Sequence, residues 1–443
     1  MENSIISHFS SFNRSFIFEK LSSIKYGRLY ITMKDQNETK PRIFGNTSLE
    51  SIDSSEPKCS VIINSPKVWT RMSINVDLIL EGFSEAFMAG ELECDDLVAL
   101  VSIIPRIQKF FFRPSNDSRR ALQNASSHYD TSNALFSSFL SPDMSYSCPI
   151  WDTTGKEETL EEAQRRKVHN IIDKADIKPE HHILEIGGGW AYLAIEAVKK
   201  TGCRFTVTTL SIEQKTLGEK RVEEAGMKDR IEILLCDYRQ TPKPSPAGFD
   251  RIISVEMVEH VGEEYMEAYF RTISELLNKE NGIMVIQSTT ETNQVSSHTL
   301  RLVQSKPLEL AMAFHQTRSK IDTFMERYIF PGGYLPTVRE IIERLEAGST
   351  GSLELESVQS IGPHYVRTLR LWRENFIQNW DETKLLYMKE RGDMTLLDLE
   401  TFQRRWIGYF SYCEAGFRAG ILGNHVITAK RPQVLSPSGI VPL

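Results

Sequence analysis

Between residues 180 and 290, short apolar runs alternate with stretches of helical spacing. His182–Ile186, Arg204–Thr209, Ile231–Leu235, Arg251–Val255 and 283–288 read as strands, each a brief and mostly apolar run of the kind buried on both faces of a parallel sheet. The segments leading to Lys200, then 212–225 and 264–277, read as the helices between them. Strict alternation predicts an α/β fold, a Rossmann-like doubly wound sheet with central parallel strands. Two later strands, 353–358 and 425–429, have helices between them and are expected to form an edge hairpin of the same sheet.

The first hundred residues follow another pattern. Residues 28–33 alternate as a strand does, and 60–63 and 69–74 suggest two more. Leu78, Leu80, Phe83, Phe87 and Met88 recur at helical spacing, and Asp95 and Asp96 open a further short helix. These elements predict a small α+β domain over 1–105. A linker over 106–127 and a larger domain over 128–443 complete the expected organisation, in keeping with a chain of 443 residues at about 150 per domain. The linker carries Arg106, Lys109, Arg113, Arg119 and Arg120 against Asp117, beside Phe110, Phe111 and Phe112. Such a segment either packs its Phe side inward as a linker helix or rests on an anionic lipid surface, where each cation contributes about 1 kcal/mol.

Composition narrows the function classes. With 25% charged and 40% hydrophobic residues the chain is neither disordered nor fibrous. No apolar run reaches the roughly 18–20 residues that cross a bilayer, and residues 1–20 lack the pattern of an export signal, so a cytoplasmic address is expected. The six cysteines form no CxxC pair and no cluster with histidine, so no metal is expected. A net charge of −7 argues against a nucleic-acid partner.

Chemistry concentrates at Leu184-Glu-Ile-Gly-Gly-Gly-Trp190, a strand running through glycines into a helix. Gly187 and Gly189 permit a tight turn and close backbone approach to a ligand, which by itself leaves the cofactor open. Position 192 is Tyr where a dinucleotide fingerprint has its third glycine, and the second strand ends in Thr208-Thr209 without the acid that grips a ribose, so a nicotinamide cofactor is disfavoured. Glu185 before the glycines and Asp237 after the third strand suit S-adenosylmethionine, whose amines carboxylates can anchor.

Further motifs surround this one in order: His128-Tyr-Asp130, Met144-Ser-Tyr-Ser-Cys-Pro-Ile-Trp151, Ser254-Val-Glu-Met-Val-Glu-His-Val-Gly262, Tyr328-Ile-Phe-Pro-Gly-Gly333 and Leu335-Pro336. With them the chain resembles the cyclopropane fatty acid synthase family, including the mycolic acid cyclopropane synthases, from about residue 80 to 430. Gly82-Phe-Ser-Glu-Ala-Phe-Met-Ala-Gly-Glu-Leu-Glu-Cys94 looks like the small domain of its phospholipid-acting members. The resemblance implies a class I methyltransferase fold in which Tyr129, Tyr146, Ser147, Gly187, Gly189, Thr209, Gln214, Asp237 and Tyr238 hold S-adenosylmethionine. It implies methylenation of a cis double bond in an unsaturated phospholipid acyl chain, by way of a carbocation and its deprotonation by bound bicarbonate. Cys148, Glu259, Tyr365 and the backbone near Thr289 would hold that anion. Gln287 stands where many bacterial members carry His, and Gly188 where Cys is common, a change that reads as indifferent.

The same resemblance implies transient peripheral contact with a membrane and leaves room for a homodimer. Residues 292–320 exceed the connector expected in the family, and either add a helix near the acyl entrance or disturb it. Phe324, Phe330, Leu335, Leu369, Trp372, Phe376, Phe402, Trp406 and Phe410 are candidates for an apolar tunnel, with ordinary core the better reading of any one of them. Competing outcomes are C-methylation giving a branched lipid, N-methylation of a small amine, and a catalytically silent binding protein.

Overall fold

The computed structural model describes residues 13–22, 24, 27–34, 40–45, 56–74, 79–104, 133–291, 324–391 and 394–432. The 106–127 linker, Tyr129 and the 292–320 segment lie outside the described residues. The chain packs as two compact units. One groups the residues up to 112 with 298–329 and 369–420; the other groups 113–297, 330–368 and 421–443. Packing therefore does not follow an uninterrupted domain from 128 to 443, because a late helical stretch buries its apolar face with the first unit.

In the first unit, strands β1 (Arg28–Met33), β2 (Arg42–Gly45), β3 (Lys58–Ile63) and β4 (Leu92–Cys94) form a sheet of order β2-β1-β3-β4, with β1 and β3 parallel. Alternation in β1 turns Leu29, Ile31 and Met33 inward onto Val61, Ile63 and Trp69. Residues 69–74, expected as a strand, belong to helix α1 (Lys67–Ile74), and α2 (Ile79–Met88) follows. Val68, Trp69 and Met72 are buried at spacings of one and four, a helical stripe that also reads as strand in so short a window. Helix α3 (Leu97–Ile103) starts where the Asp96 carboxylate accepts the Ala99 N–H at 2.9 Å.

The second unit holds α4 (Asn133–Phe139), α5 (Leu160–Lys174), β5 (His182–Ile186), α6 (Tyr192–Thr201), β6 (Arg204–Thr209), α7 (Ile212–Glu224), β7 (Ile231–Leu235), β8 (Arg251–Val255), α8 (Met266–Leu276) and β9 (Ile283–Glu291). Helix α9 (Phe324–Tyr328) belongs to the first unit; α10 (Val338–Ser349) and β10 (Glu354–Ser360) return to the second. Helix α11 (His364–Gln378) begins in the second unit and ends in the first, α12 (Trp380–Arg391) and α13 (Leu396–Arg418) belong to the first, and β11 (Leu422–Lys430) closes the second.

Its seven-stranded sheet has the order β10-β11-β9-β8-β5-β6-β7. Strands β5 to β9 are mutually parallel, while β11 runs antiparallel to β9 and β10, giving the expected edge pair. From β5 the chain goes to β6 on one side and later to β8 on the other, so a crevice opens at the carboxyl ends of these strands, where such sheets take ligands.

In the first unit Trp372, Phe376, Phe402, Trp406 and Phe410 are buried ring against ring, with centroids 5.8–6.5 Å apart for the pairs that join them. This is core packing, and none of these side chains lines the crevice. No helix among the described residues is long and apolar enough to cross a membrane.

Candidate functional site

Strand β5 delivers Glu185 and then turns sharply. Gly187 (φ +75°), Gly189 (φ +55°) and Ala191 (φ +65°) occupy left-handed backbone, which glycine adopts without penalty. The N–H groups of Gly187 and Gly188 both donate to the Thr208 carbonyl, at 3.0 and 3.1 Å, tying the turn to β6. A Cβ on Gly187 would meet Met257 Cγ at 2.9 Å, whereas one on Gly189 would meet nothing within 4 Å. Gly188 is not indifferent: a Cβ there would lie 2.3 Å from Val207 Cγ1 and 2.9 Å from the Glu185 carboxyl carbon. Glycine at 188 makes room for that carboxylate.

The turn walls a cavity lined also by Met144, Tyr146, Ser147, Lys167, Thr209, Gln214, Asp237, Tyr238 and Glu256. Glu185 is buried, its Oε2 has no hydrogen-bond partner, and burial pushes its pKa up to about 8 against the opposing charge of Lys167. An orphaned carboxylate oxygen beside a glycine cradle fits a ligand that brings a cationic amine. Lys167 Nζ donates to Ser147 Oγ at 2.8 Å, and Gln164 Nε2 donates to the carbonyls of Ser145 and Ser147, so α5 fastens the Tyr146-Ser147 loop to the cavity. The Tyr146 ring packs against Phe136 and Phe139.

Thr209 Oγ1 donates to Gln214 Oε1 at 2.7 Å at the end of β6. Asp237 is engaged by Arg239, whose Nε and Nη2 reach its two oxygens at 2.7 and 2.5 Å. Burial raises the Tyr238 hydroxyl to about 12, so it stays protonated. Every described residue that the sequence assigns to S-adenosylmethionine therefore borders this cavity, and Glu185 shows an unmet bonding capacity that fits it.

A second cluster adjoins the first, centred on a residue that the sequence reading did not select. Glu256 follows β8 with φ +49°, an uncommon conformation for a non-glycine residue and one associated with functional sites. Its Oε1 accepts the Cys148 N–H at 2.8 Å, Gln287 Nε2 at 2.9 Å and Asn424 Nδ2 at 2.7 Å, and its Oε2 accepts the Tyr365 hydroxyl. It is partly exposed and borders the cavity. Burial raises its pKa despite these donors.

Glu259 sits differently. Oε1 accepts the Thr289 N–H at 2.5 Å, Oε2 has no partner, and burial together with the charge of Glu256 pushes its pKa up to about 8. Glu259 is thus the neutral member of the pair near pH 7, and Glu256 the one whose ionised form four donors favour. The Cys148 thiol is raised well above its usual range by burial, so the contribution of this residue is its backbone N–H. Burial holds His260 down at about 4, neutral beside Phe330.

Of the groups expected around bicarbonate, the Cys148 N–H and Tyr365 donate to Glu256, as does Gln287, and the Thr289 N–H donates to Glu259, whose Oε2 keeps no partner. Where Glu256 is ionised, a further anion beside it would be repelled. With the Cys148, Gln287 and Tyr365 donors turned onto Glu256, the set does not fit bicarbonate as a second anion at that carboxylate. Glu256 was open to discovery as an acid directly after a strand at the carboxyl edge of the sheet. Asn424 carried no local signal.

A model of the family described as mycolic acid cyclopropane synthetase matches residues 116–427. The tuberculostearic acid methyltransferase of Mycobacterium tuberculosis is 35% identical over 385 residues, covering 82% of this chain and 81% of its own. The cyclopropane-fatty-acyl-phospholipid synthase of Escherichia coli is 31% identical over 354 residues, covering 76% and 80%. Among solved structures, a mycolic acid cyclopropane synthase bound to SAH and CTAB superposes with a TM-score of 0.57 at 27% identity, over 70% of this chain and 98% of that one.

Proposed function

Because this chain belongs to the mycolic acid cyclopropane synthetase family of S-adenosylmethionine-dependent methyltransferases, we propose that it alkylates a cis double bond in the acyl chain of an unsaturated phospholipid, forming a cyclopropane. The observation that carries this reading is the position of Glu256. A carboxylate set in four hydrogen bonds faces the same cavity as the glycine turn and Glu185, so a proton acceptor borders the methyl-donor site.

Glu185, Ser147, Gly187, Gly189, Thr209, Gln214, Asp237 and Tyr238 would hold S-adenosylmethionine, which when bound supplies an electrophilic methyl group. Attack by an alkene leaves positive charge on the acyl chain. Ionised Glu256 favours that charge electrostatically, and the cavity-lining rings of Tyr146, Trp190 and Tyr238 can each add about 0.5–2 kcal/mol where they face it. Neutral His260 in the cavity wall, and neutral Glu259 behind it, add no competing charge. We include transient contact with the bilayer surface in the proposal, since the substrate resides there, and a cytoplasmic address.

Methyl branching is the second reading, favoured by the match to the tuberculostearic acid methyltransferase. It shares the cation and differs in which carbon–hydrogen bond finally breaks. Incubation with methyl-labelled S-adenosylmethionine and vesicles of an unsaturated phospholipid is expected to give acyl chains heavier by one CH₂ that carry the label. Fragmentation of the labelled chains separates ring from branch. Label in an amine, or none in lipid, would refute the proposal.

A further inference from the structure

We propose that the proton lost from the lipid cation is taken by Oε2 of Glu256, a base built into the chain, and that turnover needs no bicarbonate. This deepens the lipid-alkylation reading and rests on it. Of the residues that the resemblance assigns to an external anion, Cys148 through its N–H and Tyr365 through its hydroxyl turn instead to the Glu256 carboxylate, and Gln287 and Asn424 join them. The Thr289 N–H is taken by Glu259, itself one of the assigned residues. The side chain thus occupies the seat that a separate base would need.

The two carboxylate oxygens are not equivalent. Oε1 accepts three hydrogen bonds and is saturated, whereas Oε2 accepts the Tyr365 hydroxyl and keeps lone-pair capacity for a proton. In the step a C–H bond breaks, on the transferred methyl group for ring closure or on a carbon adjacent to the cationic centre for an alkene. Its electron pair forms the final carbon–carbon bond, as the third side of a ring or as a double bond, and its proton bonds to Oε2. The cation and the carboxylate are both neutralised, and no oxidant or co-reactant is consumed. Burial that raises Glu256 above the ordinary carboxylate range makes it a stronger base than a free carboxylate. The caged side chain sits on a left-handed backbone at φ +49°, a conformation uncommon for a non-glycine residue.

Three measurements on the full chain test this. Wild-type turnover is expected to be unchanged when dissolved CO₂ and bicarbonate are removed from the assay, and ¹³C-labelled bicarbonate is expected to show no saturable binding by NMR. Glu256→Gln should lose about 10²- to 10⁴-fold in turnover, the usual worth of a general base, while calorimetry still shows S-adenosylmethionine binding. Glu256→Gly, whose backbone suits the left-handed conformation, should regain turnover on addition of bicarbonate, which then has both space and donors. Wild-type activity that collapses without bicarbonate, saturable binding of the labelled anion to wild type, or a fully active Glu256→Gln would each overturn the assignment. Failure of the wild type to label lipid under any buffer would instead refute the alkylation reading on which it rests.

Discussion

Glu185→Gln is expected to weaken S-adenosylmethionine binding about 10- to 150-fold, the equivalent of the roughly 1.5–3 kcal/mol carried by a hydrogen bond to a charged group. The carboxylate is buried at the end of β5 with one oxygen unpartnered, and its pKa is pushed up to about 8, first by burial and less the opposing effect of Lys167. Near neutral pH the ligand-free side chain is mostly protonated. A cationic amine arriving beside it draws it to ionise, so binding should release a proton below pH 8, and calorimetry in buffers of different ionisation heat reads that release.

Affinity should rise as pH climbs toward 8 and turn down once an α-amino group, with a pKa of about 7.7–8.0, loses its own charge. The rising limb should vanish in Glu185→Gln. Stability follows with a definite sign. Glu185 and Glu259 both have folded pKa values of about 8 against an ordinary 4.5, so the folded state holds more protons than the unfolded one between these values. Their stabilising contribution is complete below pH 4.5 and is lost as pH rises through 8. The ligand-free melting temperature should fall across that window, and S-adenosylmethionine should restore more of it at pH 8 than at pH 6. A wild type with flat affinity and flat melting temperature, indistinguishable from Glu185→Gln, would contradict the assignment of this side chain to the ligand.

Trp372→Ala is expected to cost about 3–5 kcal/mol of stability, the range for truncating a fully buried aromatic. Trp372 is wholly inaccessible, and its ring lies 6.5 Å from that of Phe410, itself packed on Phe376 and Trp406. Helix α11 presents Leu369, Trp372 and Phe376 on one buried stripe at spacings of three and four. Trp372→Phe keeps most of the volume and should cost much less. Urea unfolding of the three proteins measures the difference. If these side chains lined an acyl tunnel, truncation would instead leave stability near wild type and shift preference toward bulkier chains.

The pattern along the chain placed the strands and made the central ones parallel, while their spatial order came from the fold. Short apolar runs closed by turn residues leave few other ways to bury both faces of a sheet, and β5 to β8 begin and end where the pattern places them. It also marked the side of the cavity proposed for the methyl donor, because Glu185, Gly187 and Gly189 lie in one local turn within the seven residues 184–190. Where local pattern was ambiguous it misled: eight residues around Trp69 satisfy both a strand and a helix, and only packing on β1 and β3 selected the helix. The cage around Glu256, on which its proposed role as base rests, is a product of tertiary packing. Cys148, Glu256, Gln287, Tyr365 and Asn424 come from five separated segments, and a hydrogen-bonded cage among them exists only once β8, β9, β11 and the start of α11 are brought side by side. A carboxylate's role depends on which donors surround it and on how much water they replace, and periodicity along a chain encodes neither.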